Sequence, residues 1–295
     1  MNSRPELSIC ICTRNATGRM DRFLPALVAT LASSGLATQL VVVDDGSTDS
    51  TFQRAQALAP DAVVVAHYRN RGAAAARNTA ARNANAEWLL FLDDDATITR
   101  DDLDMLWSRR QRHECVLPQV RGPEGELQNS VALRWRFWEP RFDNVAQPLP
   151  KVGYPLGTCL LLHRDVFWSV GGFDERFFPN YFEDTAFGFQ LRRRGIPIRL
   201  LDNAEVVHWQ HGALAPRVVP ERIQRALFEN RWVFCMTALS GWRRAAVMML
   251  GLPRTAAEST RRRSLGPICG YLRALGRLDE LTTPWAGRPP SGSDR

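Results

Sequence analysis

Short apolar runs alternate with helical periodicity through the first hundred residues. Apolar positions fill 7–12, 62–66 and 88–92, and a β-branched run occupies 40–43, so each predicts a buried strand. Between them, 19–31 carries apolar residues at helical spacing, 50–58 reads as a helix, and 73–86 is an alanine-rich helix. Continuous apolar strands separated by helices predict a mostly parallel, doubly wound α/β sheet covered on both faces. Right-handed crossovers bring the loops that follow the strands to one edge, where open α/β sheets bind ligands.

Beyond residue 100 the pattern loosens. Residues 115–155 are less regular and rich in proline, glycine and aromatics. A strand over 158–162 leads to a short helix and the turn Gly171-Gly172-Phe173-Asp174. A helix over 184–194 ends on the stop signal Gly195-Ile196-Pro197. β signals return at 198–201 and 206–208. From Glu221 onward the pattern is helical with arginine-rich faces, and 284–295, rich in Pro, Gly and Ser, predicts a disordered tail. No internal repeat is present.

Composition changes this picture in two places. No apolar run reaches the roughly 18–20 residues of a membrane-spanning helix, and the polar start, 1–6, lacks a basic-then-apolar signal pattern. A cytoplasmic protein is expected. Cys10, Cys12, Cys115, Cys159, Cys235 and Cys269 form no C-x-x-C pair, so zinc and disulfide frameworks are not expected and buried free thiols are. The net charge of +7 is concentrated in residues 217–295, where 14 arginines face 6 acids, a local charge of +8. That excess suits an anionic surface, either a membrane, which would put the protein peripherally at the inner face of the cell membrane, or a polyanion, and it also reads as a solvated helical face. No nucleic-acid partner is expected.

Polar residues gather where the predicted strands end: Thr13-Arg14-Asn15, Asp44-Asp45-Gly46-Ser47, Arg69-Asn70-Arg71-Gly72 and Asp93-Asp94-Asp95. Three adjacent carboxylates repel and raise one another's proton affinity unless a cation neutralises them. Hard oxygen ligands of this kind suit Mg²⁺ or Mn²⁺ bound together with substrate phosphates. Asp44 and Asp45 fit a turn and helix cap, and equally fit acceptors for a base N–H or ribose hydroxyls. Arg77 sits about one turn into a helix starting at the same edge, where glycine, the helix N-terminus and arginines favour a negative ligand; alone, it reads as a solvated residue.

The series Ser8-Ile-Cys-Ile-Cys-Thr-Arg-Asn15, Val41-Val-Val-Asp-Asp-Gly-Ser-Thr-Asp49, Asn70-Arg-Gly-Ala-Ala-Ala-Ala-Arg-Asn78 and Phe91-Leu-Asp-Asp-Asp95 resembles the family-2 glycosyltransferases of the GT-A fold. Gly157-Thr-Cys-Leu-Leu-Leu-His-Arg164, Gly171-Gly-Phe-Asp-Glu175 and Glu183-Asp184 continue the match over roughly residues 7–235. The resemblance implies an inverting, metal-dependent glycosyltransferase with a nucleotide-sugar donor and a glycan or lipid-linked acceptor, in cell-surface glycan or glycolipid assembly. It implies a catalytic domain over 1–220, with a nucleotide-binding half to about 115 and an acceptor half after it. A helical, basic extension would follow over 221–283.

The same resemblance implies roles. Thr13, Arg14, Asp44, Asp45, Arg77, Asp93, Asp94 and Glu183 would bind the nucleotide-sugar. Asp95 and Asp93 would hold Mn²⁺ or Mg²⁺, and Asp184 would be the catalytic base. A nucleotide diphosphate leaves readily once a cation neutralises it, so one base suffices and inversion follows. At a helix start, Asp184 is expected to be favoured in its ionised form by the helix dipole, although a carboxylate there also reads as a cap. His208 is preferred as a further metal ligand, with His211 left open. Asn230-Arg231-Trp232 matches the Arg-Trp element of processive relatives poorly. The cluster Arg134-Trp-Arg-Phe-Trp138 reads as an acceptor wall or as a core or interface patch.

Three rivals remain. A dehydrogenase would need a G-x-G-x-x-G at the first helix, which is absent. A nucleotidyltransferase would need a Gly-rich phosphate loop, of which 12–18 is a poor version. A silent nucleotide-sugar binder would not need Asp95 and Asp184 together.

Overall fold

A computed structural model describes residues 4–128, 131–136, 139–144, 157–209, 221–262, 264–282 and 285. The elements run β1 (Leu7–Thr13), α1 (Thr17–Ser33), β2 (Thr38–Asp44), α2 (Thr51–Leu58), β3 (Val63–Ala66), α3 (Ala73–Asn83), β4 (Trp88–Asp93), β5 (Ala96–Ile98) and α4 (Arg100–Ser108). Next come β6 (Cys115–Arg121), β7 (Val131–Arg136), β8 (Glu139–Asn144), β9 (Cys159–His163), α5 (Arg164–Ser169), α6 (Glu183–Arg193) and β10 (Ile198–His208). The chain continues through α7 (Glu221–Ala238), α8 (Gly241–Arg262), α9 (Gly266–Leu275) and α10 (Leu278–Thr282).

Eight strands form one sheet in the order β3-β2-β1-β4-β9-β6-β10-β5. β1 to β4 are mutually parallel, β9 runs against both β4 and β6, and β10 is parallel to β6. The ends of β1, β2, β4 and β10 and the start of β9 therefore share one edge. Strand alternation sorts the core into two layers. Leu7, Ile9, Ile11, Val42, Leu90 and Leu92 pack with α1, α2 and α4, whereas Cys10, Val41, Val43, Leu89 and Phe91 pack with α3, α5 and α6. On α1, buried Met20, Phe23, Leu24, Leu27 and Leu31 give the helical stripe that the spacing predicts. Alanines bury α3 closely on the other layer.

Several elements depart from expectation. The stretch from residue 115 holds a fully formed strand, β6, despite Pro118. The proline coincides with a register shift: Leu117 pairs with Leu200, and Gln119 with Glu205. The four intervening residues of β10 bulge, and Gln119 Nε2 donates to Asp202 O across the gap (3.0 Å). A proline is tolerated in a sheet at such a bulge. The two β signals at 198–201 and 206–208 are consequently one bulged strand. β5, α4 and the β7–β8 hairpin were likewise not expected.

A third apolar cluster joins α7, α8, α9 and α10 to Phe177 and to Ala186 of α6. All six cysteines are free. Among the described residues no helix is long and apolar enough to cross a membrane. Of the expected tail 284–295, Trp285 alone is described; its Nε1 donates to Gly171 O at 2.9 Å, so this position packs against the α/β part. His211, Arg263, Phe137 and Trp138 lie outside the described residues.

Candidate active site

The loops at the sheet edge are clipped together by their own polar groups. Asp44 Oδ1 accepts from Ser47 N (3.1 Å) and from the Ser47 hydroxyl. Asn15 joins the first two loops, accepting from Thr48 N and donating its own N–H to Ser47 Oγ. Asp45, buried, accepts from Arg71 N (2.8 Å) and Gly72 N (2.7 Å), and faces His67 Nδ1 at 2.7 Å. His67 Nε2 lies 2.9 Å from Thr79 Oγ1. Two glycines make this possible. Gly46 (φ +67°) would drive a Cβ to 2.4 Å from Arg69 C, and Gly72 (φ +92°) to 2.7 Å from Pro179 O. Arg14 is exposed at the mouth.

The three carboxylates at the end of β4 and in the turn after it have different neighbours. Asp94 turns toward Thr13, whose hydroxyl donates to it at 2.5 Å, and toward Arg19 Nε (3.0 Å) and Nη2 (3.1 Å). Burial pushes Asp94 up to about 6, against the lowering by Arg19 and the Thr13 hydrogen bond. Asp93 accepts from Arg77 Nη2 at 3.0 Å. Asp95, at 5% exposure, faces His208 Nε2 at 3.1 Å.

Asp93, Asp95 and His208 each present one ligand atom, and these atoms lie within 4.8 Å of one another. His208 Nδ1 lies 2.9 Å from Gln128 Oε1; in a neutral ring donating there, Nε2 would be the nitrogen offered to a metal, whereas without one it can donate to Asp95. Two carboxylates and an imidazole fit a Mn²⁺ or Mg²⁺ ion completed by phosphate oxygens and water. Burial opposes a charged His208, but the Asp95 hydrogen bond and the charges of Asp93, Asp95 and Asp94 outweigh it and raise its proton affinity.

Arg77 connects this group to α6. It is buried, donates through Nη2 to Asp93 and through Nη1 to Glu183 Oε1 (3.0 Å), and lies over the Phe173 ring. Gly157 permits its position, since a Cβ there would stand 2.6 Å from Nη2. The reading of Arg77 as a solvated helix residue is thereby corrected: alanine neighbours bring α3 so near the sheet that its long side chain points inward. Glu183 keeps Oε2 buried without a hydrogen-bond partner.

Asp184 lies in the first turn of α6, and its Oδ1 accepts from Thr185 N at 2.6 Å. Burial, then the charge of Glu183, push it up to about 7, against lowering by the Thr185 and Gly157 backbone and by Arg77. The expected bias of the helix start toward the ionised form is thus overturned. Desolvation beside a second carboxylate outweighs a terminal dipole effect of about 0.3–1 kcal/mol. The carboxylate sits at the ordinary poise of a general base.

Sequence reasoning missed Arg19, His67, Gln128 and Asn230. Arg19 lies four residues after Asn15 and His67 three before Asn70, close enough to the quoted motifs to be weighed. Asn230 carried no local signal beyond its poor Asn-Arg-Trp match. Its Nδ2 donates to the carbonyls of Phe178 (3.3 Å), Asn180 (2.8 Å) and Tyr181 (3.1 Å). Tyr181 (φ +75°) and Phe182 (φ +70°) are consecutive left-handed aromatics immediately before Glu183, a conformation costing about 1–2 kcal/mol per residue. Trp232 is buried against Tyr271 and is a core residue.

Residues 8–171 match the model of glycosyl transferase family 2. Over 261 residues the chain is 28% identical to the N-acetylglucosaminyl-diphospho-decaprenol L-rhamnosyltransferase of Mycobacterium tuberculosis, covering 75% of this chain and 83% of that protein. It is 26% identical over 194 residues to the low-salt glycan biosynthesis hexosyltransferase Agl10 of Haloferax volcanii, covering 60% of each. Among solved structures it resembles S. aureus TarS 1-349 in complex with UDP-GlcNAc, at TM-score 0.58 and 18% identity, covering 94% of this chain and 82% of that one. A mannosyltransferase from Pyrobaculum calidifontis in complex with GDP-Man and Mn²⁺ aligns at TM-score 0.57 and 17% identity, over 94% and 87%. With the matched segment spanning more than half of its length, the chain belongs to glycosyl transferase family 2 and is a glycosyltransferase of GT-A-like fold.

Proposed function

We propose that this enzyme transfers a sugar from a nucleotide-sugar to an acceptor hydroxyl with inversion, with Asp184 as base and a divalent ion held by Asp93, Asp95 and His208. The observation that carries the reading is the continuous bridge Asp93–Arg77–Glu183, which ties the candidate metal carboxylates to the residue next to Asp184. When bound, Mn²⁺ or Mg²⁺ neutralises charge on the departing nucleotide diphosphate. Thr13, Arg14, Asp44, Asp45, Arg77, Asp94 and Glu183 shape the donor site, some through the loops they hold. The Asp184 carboxylate takes the acceptor hydroxyl's proton as that oxygen bonds to the anomeric carbon. The bond from that carbon to the diphosphate oxygen breaks on the opposite face, so the configuration inverts.

The relatives' names favour a lipid-linked acceptor and glycan biosynthesis, in keeping with a role in cell-surface glycan or glycolipid assembly. The catalytic domain then ends near residue 220, the following helices form the basic extension, and the enzyme sits peripherally at the inner face of the membrane. Release of nucleotide diphosphate from UDP-, GDP- and dTDP-sugars with Mn²⁺ or Mg²⁺ tests the activity, and proton NMR of the product anomer tests inversion. Retention at the anomeric carbon, or turnover undiminished in Asp184→Asn, would overturn the mechanism.

A further inference from the structure

The polarity of α8 is inverted. Its inward positions include Gly251, Thr255, Glu258 and Ser259, small or polar, together with Ala246 and Val247. They are satisfied there: Glu258 accepts from Arg262 Nε at 3.0 Å, Thr255 donates to Gly251 O, and Gly251 lets the Tyr271 ring approach so closely that a Cβ would lie 2.2 Å from it. The outward face is apolar. At helical spacing, Trp242, Ala245, Met249, Leu252 and Pro253 form one stripe, with Trp242 71%, Met249 70% and Leu252 46% exposed. Exposed Arg243, Arg254 and Arg261 recur along one flank of that stripe.

We propose that this face of α8 is a membrane-docking surface, lying flat in the interface of an anionic bilayer with Trp242, Met249 and Leu252 in the acyl boundary. Charge selects the occupant. An interfacial helix combines an apolar face containing Trp and Leu with arginines whose stems reach to headgroup phosphates. A soluble partner would not require a cationic flank along the whole helix. The proposal rests on the peripheral location given above and names the surface responsible. It also supplies an orientation: α8 packs with α7 and α9, and α7 is tied to the turn before Asp184 through Asn230, and through Arg277, which bonds Glu229 Oε1 and Arg176 O. Docking would hold the acceptor side of the site at a fixed attitude to the lipid surface.

The test is co-sedimentation of the full chain with vesicles of equal parts phosphatidylglycerol and phosphatidylcholine, and with phosphatidylcholine alone. The expected result is binding to the anionic vesicles, weakened by roughly tenfold for each apolar side chain removed in Trp242→Ala and Met249→Ala. Both variants should retain nucleotide release from a soluble donor, which shows that they fold. No binding by the unaltered protein overturns the location and the surface together. Binding that both substitutions leave unchanged overturns the surface alone, and equal binding to neutral vesicles overturns the cationic flank's part. A dimer in solution that Met249→Ala converts to monomer would make the stripe a subunit interface and overturn the proposal.

Discussion

Replacing Asp184 by asparagine separates catalysis from stability, because the two effects have opposite signs. The folded protein lifts this carboxyl from 3.8 to about 7. At about 1.4 kcal/mol per tenfold change in proton affinity, the ionised form costs the fold up to about 4 kcal/mol. A group whose folded value is raised contributes fully below its unfolded value, and that contribution is lost as pH rises through the folded value. The native enzyme should therefore lose stability between about pH 4 and pH 7, where Asp184→Asn, which has no proton to lose, should not. Thermal melts of both proteins without donor or metal, at about pH 5, 7 and 8.5, should show a gap that opens in favour of the variant as pH rises. At about 2–4 °C per kcal/mol for a chain of this size, the gap approaches on the order of 10 °C. Transfer by the variant should fall by about 10²–10⁴-fold with donor affinity nearly unchanged. The native rate should decline on the acid side of about pH 7 as the base becomes protonated. A gap independent of pH, or one that opens toward acid, would refute the burial argument; a large loss of donor affinity would refute the role as base.

Three further outcomes are expected. Saturating Mn²⁺ should stabilise the chelator-stripped native protein by about 2.7 kcal/mol at a hundred times Kd, seen as a rise in melting temperature; His208→Ala should lose most of that rise, and an undiminished rise would remove His208 from the ligand set. Gly157→Ala should displace Arg77 from Asp93, costing about 1–3 kcal/mol of stability and weakening donor binding in calorimetry. Asn230→Ala should free three carbonyls of the turn before Glu183, slowing transfer more than it alters donor affinity; a change confined to donor affinity would contradict its place beside the base.

The fold was legible where a residue's surroundings are set by its near neighbours. Period-2 alternation in β1, β2 and β4 assigns side chains to the two core layers whatever else the chain does, and the stripe on α1 follows from its spacing. β6 was not legible, because a proline in its centre argues against a central strand until the partner's bulge is known. That bulge lies some eighty residues away, in β10. The inverted polarity of α8 is hidden for a related reason. Periodicity shows that Trp242, Met249 and Leu252 share a face with one another, but gives no sign that the opposite face, with Thr255 and Glu258, is the buried one.

The same distinction governs the site. Asp93 closes β4, and Asp94 and Asp95 form the turn into β5. Adjacency in the sequence does not tell which of the three pairs with Arg19 and which two gather with His208; the turn and its partners from α1 and β10 do. What the sequence could not supply is the charge balance around them. Asp93 meets Arg77 from α3, Asp95 meets His208 from β10, and Glu183 meets the same arginine from α6. Within this described set one guanidinium is shared by two carboxylates, and Asp184 beside it is left with no cation of its own. Burial, then the charge of Glu183, raise its proton affinity, and Arg77 offsets that only in part. The desolvated Asp184 is then the group that holds a proton near neutrality, the poise that abstraction from a sugar hydroxyl requires. Adding a second positive charge near α6 should therefore lower the pH at which transfer begins and slow it, since a carboxylate that binds its proton weakly is a poorer base.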